Sequence, residues 1–106
     1  MSSSKPVGEI PVQLQRTFDQ IDENSTPFVE ELRELVRQPS ISAQNKGVKE
    51  CAELLRRKME EAGIETKIMP TAGHPAVFGE VKSPGSGKTI LFYGHYDVQP
   101  PEPLEE

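Results

Sequence analysis

The chain has 106 residues, one cysteine and a net charge of −5, from 17 acidic and 12 basic residues. This length suggests one domain of modest size, and the acidic balance disfavours nucleic acid or an anionic membrane surface as a partner. One cysteine excludes an intrachain disulfide and fits a reducing compartment. No secretory signal and no apolar run near the ~20 residues that span a bilayer are visible. We therefore predict a cytoplasmic protein.

The first part of the chain predicts a polar arm followed by two amphipathic helices. Residues 1–9 are polar and are expected to form a flexible arm. The first helix is predicted from an apolar stripe at helical spacing, Leu14, Phe18 and Ile21. For the second helix, Thr26 is the expected N-cap and Pro27 the first helical residue, because proline suits that position. Pro39 is expected to end it.

A third helix is predicted after a polar loop over residues 40–46. Its apolar stripe is Val48, Cys51, Ala52, Leu55, Met59 and Ala62. Gly63 fits the left-handed position past a helix end, from which Ile64 can pack back on Met59. Cys51 is interpreted as a small core hydrophobe, and a catalytic thiol is the alternative.

Three strands are predicted after this helix. Residues 64–69 alternate with period two, and residues 76–81 form a second strand that bends at Gly79. Residues 89–93 are almost continuously apolar, which is typical of a strand buried on both faces. The order of helices and then strands predicts an α/β or α+β domain whose helices cover the sheet.

His95 and Asp97 follow the last predicted strand, where open α/β sheets place their sites. Side chains at i and i+2 of an extended segment share one side, and a metal-bound histidine typically donates its other ring N–H to a carboxylate. A hydrogen-bonded turn is the alternative on this spacing alone. His74, before Pro75, is interpreted as a solvated or locally hydrogen-bonded loop histidine, and a metal ligand is the alternative.

Longer segments resemble a known family. Residues 89–106, TILFYGHYDVQPPEPLEE, resemble the dipeptidase branch of the metallopeptidases that include carnosine dipeptidases, aminoacylases, acetylornithine deacetylase and carboxypeptidase G. Residues 28–42 resemble the family's first helix and its exit, and residues 50–81 resemble its next helix and first two strands. The resemblance covers residues 10–106. It implies an α/β fold, the N-terminal portion of a phosphorylase/hydrolase-like catalytic domain, with helices on a mixed sheet of about three strands.

The resemblance also implies a site and a reaction. His95 is similar to a ligand of one ion in a two-metal site, usually Zn²⁺, with Mn²⁺ or Co²⁺ as alternatives. Asp97 is similar to the catalytic-site carboxylate that orients this histidine. The implied reaction is metal-dependent hydrolysis of a dipeptide or an N-acyl amino acid, and the complete protein is expected to form a homodimer.

Residues 10–106 match only part of the family pattern. The metal-bridging aspartate, the glutamate general base, the other ligands and the lid domain have no match in them. A catalytic zinc site needs about three protein ligands, so the chain alone is expected to be inactive. The alternative to an enzyme part is a truncated non-catalytic fragment or an interaction module. The acidic tail, with Glu102, Glu105 and Glu106, is expected to be solvent-exposed.

Overall fold

The computed structural model describes residues 10–85 and 87–102. The chain divides into two compact units between residues 33 and 34. The helices are α1 (Val12–Glu23), α2 (Ser25–Arg37) and α3 (Val48–Glu61), and the strands are β1 (Glu65–Met69) and β2 (Ala76–Glu80). A 3₁₀ turn spans Ser42–Gln44. The predicted α/β class is confirmed, whereas the predicted arm over residues 1–9 lies outside the described residues.

Helices α1 and α2 are separated by Asn24 alone, so the predicted start of α2, with Thr26 as N-cap and Pro27 as first helical residue, is wrong by two residues. The helix begins at Ser25, and the Phe28 N–H donates to the Asn24 carbonyl with an N···O distance of 3.0 Å. Pro27 therefore lies inside the first turn. The first four N–H groups of a helix have no partner within it, so a proline is tolerated there. None of the helices in the described part of the chain has the length and apolarity that a membrane crossing requires.

Helix α3 and its end agree with the sequence prediction. The Ile64 N–H donates to the Met59 carbonyl, and the Gly63 N–H donates to the Glu60 carbonyl, both at 2.9 Å. With Gly63 at a φ of 87°, these two bonds form a Schellman motif. Cys51 is buried and free, which confirms the core-packing interpretation.

Strands β1 and β2 form an antiparallel hairpin on which α3 packs. Thr66 lies opposite Gly79 and Ile68 lies opposite Val77, and these four positions are the half-buried ones. The outward positions of both strands are exposed, as the period-two alternation predicts.

The predicted third strand over residues 89–93 is not formed. Within the described ranges the sheet has two strands and is antiparallel rather than mixed. The side chains from Ile90 to Tyr93 are 78–92% exposed. A continuous apolar run becomes a strand only where neighbouring chain supplies a hydrogen-bond ladder and covers its faces, and the described residues supply neither here.

The small core lies where the loop before α3 folds against that helix. The buried apolar residues in the described part of the chain are Ile41, Val48, Cys51 and Ala52. Ile41 and Lys46 exchange two backbone hydrogen bonds, of 2.8 and 3.1 Å, which close the loop. Gly47 follows with a φ of 73° and lies so close to the Pro39 carbonyl that a Cβ atom would collide with it. The closed loop and the close approach of Gly47 to Pro39 determine the positions of Ser40 and Ser42, which contact the candidate site described below.

Candidate functional site

The candidate site is a short segment without regular secondary structure, residues 94–98, which we call the His95 strap. It is attached to the loop before α3 by its backbone. The Val98 N–H donates to the Ser40 carbonyl at 2.8 Å, and Val98 forms a parallel bridge with Ile41. The strap is therefore held beside the buried core, while the residues before it stay exposed.

Tyr96 is a second anchor of the strap. Its hydroxyl donates to the Pro75 carbonyl, at the start of the second hairpin strand. The backbone carbonyl of Tyr96 also accepts a weak hydrogen bond from the Cys51 thiol of α3, with an S···O distance of 3.8 Å. Burial raises the pKa of the Tyr96 phenol above its ordinary value. Tyr96 thus ties the strap to the residue before the second hairpin strand.

Asp97 divides its carboxylate between two partners. The Ser42 hydroxyl donates to Oδ2 at 2.6 Å, and the His95 ring nitrogen Nδ1 lies 3.0 Å from Oδ1. The hydrogen bond from Ser42, and after it the one from His95, lower the pKa of Asp97 below its usual range. Asp97 is consequently an ionised acceptor at neutral pH.

These contacts determine the tautomer of His95. Nδ1 faces Asp97 Oδ1 and also the Asp97 carbonyl oxygen, which lies 3.1 Å away. Both oxygens are acceptors, so Nδ1 carries the hydrogen and Nε2 of the neutral ring keeps a lone pair. Nε2 has no hydrogen-bond partner within residues 10–85 and 87–102, and the side chain is 73% exposed. A histidine with one nitrogen held by a carboxylate and the other free has the chemistry of a metal ligand.

His74 lies at the same site but is bound differently. Its Nε2 is 3.0 Å from the Ser42 carbonyl oxygen, so that nitrogen carries the hydrogen. The partner is 32 residues away in the chain, so the predicted local or solvated histidine is half-buried and makes a long-range contact. Among the described residues, the nitrogen of His74 without a hydrogen-bond partner is Nδ1, whereas in His95 it is Nε2.

An open groove of about 1190 Å³ runs along the strap. Its walls are largely apolar, with Leu35, Val48 and Phe92 among them, and His74, His95 and Asp97 lie at its lining. Nowhere in the described ranges do three or more His, Cys, Asp or Glu side chains gather as a metal cluster. Glu102 is exposed as expected, and Glu105 and Glu106 lie outside the described residues.

The sequence did not predict Ser42 and Tyr96 as site residues. Ser42 is 55 positions from Asp97, and Tyr96 is 21 positions from Pro75, so no spacing rule connects either pair. The available signal was the similarity of the Pro-Ser-Ile-Ser exit, residues 39–42, to the family pattern.

Three comparisons with known proteins show what this chain is similar to. No family model matches the chain. A Cys-Gly metallodipeptidase from Candida albicans is 33% identical over 94% of this chain and 24% of its own length. A succinyl-diaminopimelate desuccinylase from Ectopseudomonas mendocina is 32% identical over 76% of this chain and 20% of its own length. A crystal structure of an M20 family metallo-carboxypeptidase from Sulfolobus solfataricus is 40% identical with a TM-score of 0.63, over 72% of this chain and 18% of that one.

The matched proteins are hydrolases, and two of these three are metallopeptidases by name. The predicted resemblance is confirmed, since the chain is similar to a metallodipeptidase and to an M20 family metallo-carboxypeptidase. It spans about a quarter or less of the length of these relatives.

Proposed function

We propose that the complete protein is a metal-dependent hydrolase of dipeptides or N-acyl amino acids. In this proposal His95 is a metal ligand and Asp97 is the carboxylate that orients it. The observation that carries the proposal is the 3.0 Å contact from His95 Nδ1 to Asp97 Oδ1, which leaves Nε2 with a free lone pair. The names of the relatives, a dipeptidase and a desuccinylase, support the substrate class.

The residues of this chain would do three things in the reaction. Asp97 keeps the proton on Nδ1 of His95, so the ring presents an unprotonated nitrogen. Tyr96 and Val98 fix the backbone that carries both side chains. The apolar walls of the groove would exclude water from part of a bound substrate. Bound Zn²⁺, two ions in the complete site, would polarise the scissile carbonyl and acidify a water molecule, and Mn²⁺ or Co²⁺ are alternatives.

We further propose that residues 10–106 are the N-terminal part of a larger catalytic domain. The general base, the remaining ligands and a lid domain would then come from chain beyond these residues. This organisation is supported by the small share of each relative that the chain spans. A homodimer of the complete protein and a cytoplasmic location remain predictions.

A non-catalytic fragment or interaction module is the second candidate. It is favoured by the finding that the described residues contain no group of three metal-binding side chains. One histidine with its orienting carboxylate falls short of the roughly three protein ligands of a catalytic zinc.

Metal content and dipeptide hydrolysis test these proposals. Elemental analysis of the purified 106-residue chain after exposure to Zn²⁺ should show retained metal, with a clear loss in His95→Ala. The matched control is His74→Ala, whose Nε2 is already bonded to the Ser42 carbonyl, and it should retain metal. Equal metal in the wild type and in His95→Ala would remove His95 from the ligand set. Hydrolysis of a Cys-Gly dipeptide by the 106-residue chain would exclude the non-catalytic alternative.

A further inference from the structure

The loop before α3 contributes a side chain to the His95 strap. The Ser42 hydroxyl reaches Asp97 Oδ2 at 2.6 Å, the shorter of the two side-chain hydrogen bonds that this carboxylate accepts. Ser42 is half-buried at the start of the 3₁₀ turn, whose position is determined by the closed loop over residues 41–46. Its hydroxyl is therefore held by backbone structure that is independent of His95.

A carboxylate bonded through only one oxygen can rotate about its χ2 torsion, which is soft and roughly two-fold. Two bonds, one on each oxygen, stop this rotation. With Oδ2 held by Ser42, Oδ1 stays in the direction of His95 Nδ1. The Asp97 carbonyl oxygen, at 3.1 Å, is a second acceptor for Nδ1 but belongs to the backbone and cannot be aimed by Ser42.

We propose that Ser42 is a positioning residue for metal binding by His95, acting through Asp97. The hydroxyl aims the carboxylate, the carboxylate holds the proton on Nδ1, and Nε2 is left for the metal. The proposal rests on the function proposed above for His95 and Asp97. It adds to the site a residue that lies 53 positions before His95 in the sequence.

The test uses variants that distinguish the effect of the Ser42 hydroxyl from a general disturbance of the loop. Ser42→Ala removes the donor, and Ser42→Thr keeps it. Ser40→Ala is the matched control, because the Ser40 hydroxyl is buried in the same loop without a hydrogen-bond partner among the described residues. Nitrogen NMR of the metal-free 106-residue chain reads the tautomer of His95, and titration with Zn²⁺ alone reads its affinity.

The wild type, Ser42→Thr and Ser40→Ala should show His95 mainly with hydrogen on Nδ1. Ser42→Ala should shift the ring toward the Nε2–H form and weaken Zn²⁺ binding on the order of tenfold, the lower range for loss of an outer partner of a ligand. A wild-type His95 with its hydrogen mainly on Nε2 would overturn the proposal without any variant. Identical tautomer and affinity in Ser42→Ala and Ser40→Ala would overturn it as well.

The two proposals fail in different ways. Zn²⁺ affinity that is unchanged in His95→Ala contradicts the metal role of His95. Affinity that depends on His95 but not on Ser42 leaves that role intact and rejects the positioning role of Ser42.

Discussion

Gly47 is the residue on which the loop before α3 depends most directly. Its φ of 73° is in the left-handed region, and a Cβ atom would collide with the Pro39 carbonyl. We expect Gly47→Ala to lower the free energy of unfolding by about 2–4 kcal/mol, from left-handed strain together with a backbone clash. Urea unfolding followed by circular dichroism measures this.

Gly85→Ala is the control for this prediction. Gly85 has a φ of 83°, but apart from its chain neighbours no described residue has an atom within 4 Å of the position of its missing Cβ. This variant should lose about 1 kcal/mol, from the left-handed strain alone. Equal losses in both variants would show that the approach of Gly47 to Pro39 is not tight.

Tyr96 should make the stability of the chain sensitive to alkaline pH. Its pKa is raised by burial, so the unfolded chain ionises this phenol first. The stability that the neutral Tyr96 phenol contributes is fully present below the pKa of about 10 in the unfolded chain. It is lost as the pH rises through the higher pKa of the folded chain. Tyr96→Phe should remove this alkaline loss and lower stability at neutral pH by about 1 kcal/mol, for the lost bond to Pro75.

Urea unfolding at several pH values compares Tyr96→Phe with the wild type. Tyr93→Phe is the control at neutral pH, since Tyr93 is 92% exposed and the loss of its hydroxyl should leave stability unchanged. An unchanged alkaline slope in Tyr96→Phe would contradict the buried position of this phenol.

Single residues of the site could be predicted only where they are close neighbours in the sequence. His95 and Asp97 were paired from their i, i+2 spacing, and the structure brings their side chains into contact. Ser42 could not be paired with Asp97, because the contact depends on how the loop closes on α3 rather than on spacing. His74 and Ser42 lie together for the same reason.

At the scale of elements, helix α3 and the hairpin were predictable because each carries its own period. Six apolar positions at helical spacing and Gly63 define α3, and alternation defines β1 and β2. The run over residues 89–93 has no period, and its conformation depends on partners that the described residues lack. The apolar composition of this run predicts that it is buried, but it does not identify the segment that would cover it.

The exposed run Ile90–Tyr93 should make the chain associate. Exposed apolar side chains next to unpaired backbone favour pairing with other chains. We expect the wild type to show concentration-dependent association in sedimentation velocity, and Leu91→Lys to reduce it without loss of folded stability. Val81→Lys adds the same charge outside the run and should associate as the wild type does. A wild-type monomer at all concentrations would contradict this prediction.

At the scale of the whole molecule, the described residues orient the His95 ring but contain fewer ligands than the proposed metal site needs. The strap, its anchors and the groove give His95 a defined tautomer and an apolar neighbourhood. The described ranges contain no group of three metal-binding side chains, and the chain spans about a quarter or less of the length of the relatives. Sequence similarity predicted the family resemblance, whereas the extent of the buried core required the structure.

The central claim, that His95 binds metal through Nε2, can be measured directly by nitrogen NMR during a Zn²⁺ titration. The chain has two histidines, so His74→Ala assigns both rings. The account predicts that Nε2 of His95 shifts on adding Zn²⁺, while Nδ1 stays protonated and His74 keeps its bond to Ser42. A Zn²⁺ response confined to His74, or an unchanged Nε2 of His95 at saturating Zn²⁺, would contradict it.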